Sequence, residues 1–187
     1  MEFLALAQQC ANSVHASTMS AVVRVESGVN PLAIGVVGGR LERMPVTKAE
    51  AVATVRSLEA QGYNFDVGLA QINKHNLAKY GLSYEAAFEP CENLRIGAAI
   101  LTDCYQRARV RFQNQQEALQ AAFSCYNTGN FDRGFIPRSA GQLSYVDKVL
   151  NAAAPGARAK RAQRQEAEPR RETRESSSAD DTVLVFR

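Results

Sequence analysis

The sequence predicts an α+β chain, mostly α, on three observations. After Pro90-Cys91, the residues Leu94, Gly97, Ala98, Leu101, Cys104, Tyr105 and Ala108 recur at the three-four spacing of one buried helix face. Thr47-Lys48-Ala49-Glu50 places a hydroxyl three residues before an acid, a pair that satisfies the free N–H groups of a helix start. Residues 28–46 are rich in Gly and Pro, and Ile34-Gly35-Val36-Val37 with Leu41 suits a small β-hairpin there.

The remaining elements follow in order. Residues 3–14 and 17–27 read as two helices broken near His15-Ala16-Ser17. The helix opened by Thr47 runs to about Gln61 and stops at Gly62. Residues 66–76 suit a short helix leading into a loop, with a further turn at 83–88. The long helix covers 92–108, and its Gly97-Ala98 pair permits close packing. A turn at 109–114 leads to a helix from Gln115 to Tyr126, and a last helix, 142–153, follows a Gly/Pro-rich loop.

Composition changes after Ala154. Residues 1–154 are expected to form one domain and residues 155–187 a charged, disordered C-terminal tail, because the tail is too polar to offset its ordering entropy. A lone helix of Arg–Glu pairs is the alternative for the tail. Its end, Thr182-Val183-Leu184-Val185-Phe186, is β-prone and either docks on a partner as a strand or is inert.

The formal net charge is +3, much of it after Pro155, so the domain is close to neutral. Without a basic stripe interleaved with aromatics, the chain is not read as a nucleic-acid binder. Trp is absent, which leaves sugar stacking to Tyr or Phe. No apolar stretch reaches transmembrane length. Met1-Glu2-Phe3-Leu4-Ala5-Leu6-Ala7 has an acid where a signal peptide carries Lys or Arg, so no export signal is evident. The chain was trimmed, its start is misassigned, or export takes another route.

The four cysteines are Cys10, Cys91, Cys104 and Cys125. Their spacings do not suit zinc, and His15 and His75 are too far apart in sequence to add a metal site. No cofactor is expected. On one helix, Cys91 and Cys104 would lie about 20 Å apart at ~1.5 Å per residue, too far to bond. Cys104 and Cys125 fall on consecutive helices and can face one another, which leaves Cys10 with Cys91. Four buried free thiols are the alternative.

The most informative residues are Glu26-Ser27. They end the apolar run Met19-Ser20-Ala21-Val22-Val23-Arg24-Val25 and precede Gly28, Asn30 and Pro31. An acid there faces a cleft beside apolar walls, which disfavour its charged form and raise its pKa toward that of a general acid at neutral pH. The segments Asp66-Val67-Gly68-Leu69-Ala70-Gln71-Ile72-Asn73 and Ala122-Phe123-Ser124-Cys125-Tyr126-Asn127-Thr128-Gly129 add amides and a phenol beside glycine. Such groups hydrogen-bond neutral hydroxylated or N-acetylated ligands. One acid with amides and a tyrosine reads as a sugar site rather than a phosphate, metal or nucleophile site.

The order Glu26-Ser27, Gly68-Leu69-Ala70-Gln71-Ile72-Asn73, Cys125-Tyr126-Asn127 resembles goose-type lysozymes and lytic transglycosylases. Val36-Val37-Gly38-Gly39-Arg40, Gly62-Tyr63-Asn64-Phe65 and Asn76-Leu77-Ala78-Lys79-Tyr80-Gly81-Leu82 narrow the resemblance to the first, VirB-type subunit of type IV secretion systems. It spans roughly residues 8–152. It implies a lysozyme-like fold with a small β element and a substrate cleft, and periplasmic cleavage of peptidoglycan glycan strands. Glu26 would act as acid and then base while the muramoyl 6-hydroxyl closes a 1,6-anhydro ring. Gln71 would orient substrate, Tyr126 would hold Glu26 through its hydroxyl, and Asn127 would contact sugar or fix its loop. Ser27 would bond near the site or simply cap its helix. Cys125 stands where the wider family usually has Ala. Other secretion-system subunits would be partners.

Asp66 reads as a solvated acid, and Tyr63, Asn64 and Phe65 as subsite or packing residues. Two rival functions follow. A hydrolase of the same bond would use a bound water and Asp66; a non-catalytic glycan-binding assembly factor would have no need of Glu26.

Overall fold

The computed structural model describes residues 2–154. The tail expected over 155–187, with its Thr182–Phe186 end, lies outside the described residues.

Two helices open the chain, α1 (Glu2–Cys10) and α2 (Ala16–Ser27), separated where the His15 side chain caps α2 by accepting from Ser17 N. Strand β1 (Ile34–Val36) follows, then α3 (Lys48–Ala60). Thr47 Oγ1 accepts from Glu50 N at 3.1 Å, and the Glu50 carboxylate accepts from Val46 N at 2.9 Å, so the Thr-x-x-Glu pattern caps α3 from both sides. Strands β2 (Phe65–Val67) and β3 (Ile72–Asn73) lead into α4 (Lys74–Lys79) and α5 (Tyr84–Ala87). The body is completed by α6 (Pro90–Arg111), α7 (Gln115–Thr128), a 3-10 turn at Arg133–Phe135 and α8 (Tyr145–Ala153).

The strands form one antiparallel sheet in the order β1-β2-β3, with Gly35 opposite Asp66 and Asp66 opposite Asn73. Two expectations are corrected here. Ile34–Val36 pairs with Phe65–Val67 across the length of α3 instead of folding back on Leu41. Residues 66–73 are two strands joined by a turn, not a helix, because Phe65 and Val67 point into the core while Asp66 points out, the alternation of a strand.

The long helix α6 is central. It packs on α7 and α1 and touches β3 and α5. Its buried face carries Leu94, Ile96, Gly97, Ala98, Leu101, Cys104 and Ala108. Phe65 and Phe123 are fully buried against the same core, each contributing roughly 1.5–3 kcal/mol. Cys10 is bonded to Cys91, tying α1 to the start of α6, and Cys104 to Cys125, tying α6 to α7. Closing loops with sequence separations of 81 and 21 restricts the unfolded chain.

Two close approaches set how the sheet meets the helices. Asn93, buried on α6, accepts from Ala70 N at 2.7 Å and donates to Val67 O at 3.0 Å and Ala87 O at 2.8 Å. Its amide thereby satisfies three backbone groups that would otherwise be buried without partners. One turn on, a Cβ on Gly97 would lie 2.6 Å from Ala70 Cβ, 3.0 Å from Met19 Cε and 3.2 Å from the Tyr126 hydroxyl.

A Gly→Ala change within a helix ordinarily stabilises by about 0.5–1 kcal/mol. At Gly97 the added methyl meets the short side chain of Ala70, which cannot move without its backbone. Gly97→Ala should therefore destabilise, by roughly 1–3 kcal/mol as overpacking does. Thermal unfolding checks this; a raised Tm would show that the approach is not tight.

Candidate active site

Glu26 stands at the end of α2, where Gly28 caps the helix in the left-handed conformation at φ 60° and Val29 follows at φ 68°. This turn ends the helix with the Glu26 side chain in a cleft of about 650 Å³ between the sheet and the helical body. Sheet-side residues Asn64, Asp66, Gln71 and Asn73 line it, and Tyr126, Asn127 and Arg138 line it from the helical side.

Burial pushes the Glu26 carboxyl from its ordinary 4.5 up to about 7. A hydrogen bond from Tyr145 pulls it down, the charge of Asp66 adds to the rise, and Arg138 opposes it. The Tyr145 hydroxyl donates to Glu26 Oε1 at 2.5 Å. Tyr145 is the first residue of α8, and Ser144 caps that helix by accepting from Asp147 N at 3.1 Å. Because α8 packs on α2, this cap fixes the phenol over the carboxyl.

The role expected of Tyr126 is therefore corrected. Its hydroxyl donates to Ala70 O at 2.6 Å and braces the turn between β2 and β3; Tyr145 holds Glu26 instead. Sequence reasoning missed Tyr145. The pattern Ser144-Tyr145-Val146-Asp147 is a helix-start signature that locates the residue but says nothing of what its ring will meet.

Gln71 closes the turn between β2 and β3 at φ 46°. Its Nε2 donates to Ala33 O at 3.1 Å and Gly68 O at 2.9 Å, which fixes the amide and leaves Oε1 as the acceptor free to meet a ligand. That oxygen would lie 2.7 Å from a Cβ on Gly35, so β1 needs glycine there. Asn127 lines the cleft at the end of α7. Ser27 is not among the lining residues: its hydroxyl donates to Val23 O at 3.2 Å within its own helix.

Asp66 is half-buried rather than solvated, a second correction. Burial raises its pKa, opposed by Asn73, whose Nδ2 donates to Asp66 Oδ1 at 2.9 Å. Asn73 also bonds Asn64 Oδ1 at 2.9 Å, giving the sheet side of the cleft a linked set of amides. Phe65 lies in the core and Tyr63 on the surface. Among the described residues no group of three or more His, Cys, Asp or Glu side chains converges as metal ligands.

A half-buried carboxyl brought near neutrality by burial, oriented by a phenol and facing amides, is equipped to protonate an ether oxygen in a hydrogen-bonding cleft. Residues 3–145 match the family described as the Transglycosylase SLT domain. The chain belongs to this family. The SLT domain fold is lysozyme-like, as is the mostly helical body with its small sheet seen here. The chain is 57% identical over 152 residues to "Type IV secretion system protein virB1" of Brucella abortus biovar 1 (strain 9-941) and of Brucella suis biovar 1 (strain 1330). Those matches cover 81% of this chain and 63% of each relative. "Protein virB1" of Rhizobium radiobacter is 40% identical over 154 residues, covering 81% of this chain and 61% of that protein. The chain thus spans somewhat under two thirds of the length of these relatives. No solved structure matches it.

The raised Glu26 pKa makes stability depend on pH with a definite sign. In the unfolded chain Glu26 ionises near 4.5, and in the SLT fold near 7. Between those values the folded state binds more protons, so stability falls as pH rises and levels off above 7, where Glu26 is ionised in both states. Glu26→Gln keeps an acceptor for Tyr145 and does not titrate. Its Tm relative to wild type should climb between pH 4 and pH 8, by the equivalent of roughly 2–3 kcal/mol. A difference independent of pH would mean that Glu26 titrates normally.

Proposed function

We propose that this chain is a peptidoglycan lytic transglycosylase. It cleaves the β-1,4 bond between MurNAc and GlcNAc, acts in the periplasm, and opens the wall locally for assembly of a type IV secretion system whose other subunits are its partners. Residues 1–154 are the catalytic unit. The observation that carries the reading is Glu26: a carboxyl near pKa 7, held by Tyr145 and facing a cleft lined with amides. Family membership and the virB1 relatives support the same substrate and setting.

The chemistry follows from one group working twice. Protonated Glu26 gives its proton to the glycosidic oxygen as the C1–O bond breaks and GlcNAc departs. Positive charge develops at C1, and the ionised Glu26 stabilises it electrostatically. The muramoyl C6 hydroxyl then attacks C1 while the Glu26 carboxylate takes its proton. A 1,6-anhydro ring forms, no water is consumed, and Glu26 is again protonated. A pKa near the working pH suits a residue that must be acid and base in one cycle. Gln71 and Asn127 bind substrate, while Tyr126, through Ala70, positions Gln71. Ser27 secures the last turn beneath Glu26.

The product decides between this and hydrolysis. Mass spectrometry of muropeptides released from purified peptidoglycan should show anhydro ends with wild type and none with Glu26→Gln. Reducing ends would transfer the chemistry to a water activated by Asp66. Release by Glu26→Gln would remove Glu26 from catalysis, and no release by either protein would favour the glycan-binding assembly factor.

Tyr145 has a separate signature. Its hydrogen bond lowers the Glu26 pKa, so Tyr145→Phe should move the alkaline limb of kcat/KM, set near pH 7 in wild type, to higher pH. At the optimum kcat should fall roughly 10–100-fold as the carboxyl loses its fixed orientation. A fall in kcat with an unmoved limb would mean that Tyr145 only supports packing.

A further inference from the structure

The cleft holds three cations whose circumstances differ. Arg107 on α6 is committed: its Nε bonds Asp103 Oδ2 at 3.1 Å, and its Nη2 lies 3.0 Å from Cys125 Sγ. Lys79 lies over the ring of Tyr80, its Nζ 5.4 Å from the centroid. Arg138 lines the same cleft, is exposed, and makes no hydrogen bond or ion pair among the described residues, although its charge is felt at Glu26.

Arg138 is nonetheless on a fastened segment. Before it, Gly134 N donates to the buried Ser124 Oγ at 2.8 Å, and that hydroxyl donates to Asn130 O at 2.6 Å. A Cβ on Gly134 would lie 2.6 Å from Ser124 Cα, so the loop sits directly on α7. After it, Ser144 caps α8 and Tyr145 bonds Glu26. An arginine fixed at both ends of its loop, beside the candidate catalytic acid and without a protein anion, is placed to meet an anion on the ligand.

We propose that Arg138 is a specificity residue that recognises a carboxylate carried by the muramoyl unit, an inference that rests on the glycan reading above. The N-acetylated sugar backbone is itself neutral, and the muramoyl substituent brings negative charge near the scissile bond. That charge has two sources. A strand stripped of peptide bears a free lactyl carboxylate; a peptide-bearing strand has that group amidated and carries its carboxylates further along the stem. Both present the same ligand to a guanidinium. Glu26 is neutral in the acid step, which leaves Arg138 available to the substrate at that moment.

Equilibrium binding tests this without turnover. Glu26→Gln protein is titrated by calorimetry with a neutral β-1,4 GlcNAc tetramer, with glycan strands stripped of peptide, and with peptide-bearing strands. At least one anionic strand should bind roughly fivefold or more tighter than the neutral tetramer at low salt, as a partly exposed charge pair allows. Adding Arg138→Gln should abolish that margin and leave the tetramer's affinity unchanged; Arg138→Lys should restore part of it. Which strand keeps the margin identifies the lactyl or the stem carboxylate as the anion. Equal weakening of all three ligands by Arg138→Gln would make Arg138 structural and overturn the proposal, as would no effect on any. If none of the three binds the Glu26→Gln protein, the glycan reading falls and this inference with it. Binding of all three with no dependence on residue 138 would defeat this inference alone.

Discussion

The missing side chain at Gly97 is the constraint on which the site depends. Met19 of α2, Ala70 of the turn between β2 and β3, and Tyr126 of α7 all converge on that one point of α6. Each is close in sequence to a cleft residue. Met19 lies two turns before Glu26 on the same helix, Ala70 immediately precedes Gln71, and Tyr126 immediately precedes Asn127. Three segments far apart in sequence are thus held to one reference point, so the acid, the amide and the asparagine cannot drift independently. Interiors packed to crystal-like density transmit small displacements, and a shift at this contact would reach all three cleft residues at once.

Asn93 performs the polar half of the same task. Gly97 sets how near the turn can come, and Asn93 satisfies the backbone groups that the approach buries, at Ala70 N and Val67 O. Neither works without the other. A close apolar contact that left those groups unbonded would carry a penalty of about 1–3 kcal/mol for each, and an amide staple without the glycine would hold the turn too far from Tyr126 to bond it. Gly68 completes the arrangement: a Cβ there would fall 2.2 Å from Asn93 Nδ2, and its φ of 77° is one that glycine adopts freely.

What was legible in the sequence divides along physical lines. Helices announce themselves locally, through the three-four repeat of α6 and the Thr47–Glu50 cap of α3, because both periodicity and capping are properties of neighbouring residues. The sheet was only half legible. Each of its strands has two or three residues, too few for alternation to outweigh a helical reading, and the β1–β2 pairing spans α3, so nothing local records it. That Glu26 faces the cleft could be read from its place at the end of an apolar helix. The identity of the phenol that holds it could not: Tyr126 and Tyr145 are both tyrosines near helix ends, and only the packing of α8 on α2 sends one ring to the carboxyl and the other to a backbone carbonyl. Asp66 was misread for a similar reason, since its burial comes from Asn73 and the opposing strand.

The electrostatics around Glu26 are a balance of opposing groups. Under the proposed mechanism a single carboxyl first gives and then accepts a proton, and such a group needs surroundings that favour neither form strongly. Burial and Asp66 push Glu26 upward; Tyr145 and Arg138 pull it down; the balance rests near 7. A second carboxylate bonded alongside would drive it higher and disable the base step, and a cation paired directly to it would disable the acid step. Arg138 avoids the second outcome by making no bond to Glu26 while its charge is still felt there. The backbone shows a matching pattern: among the described residues the two non-glycine positions with positive φ are Val29, three residues after Glu26, and Gln71. For a β-branched residue and a glutamine this conformation carries about 1–3 kcal/mol of strain. Both lie where the chain must turn sharply to present a cleft side chain, so local strain is concentrated where the orientation of Glu26 and Gln71 is determined.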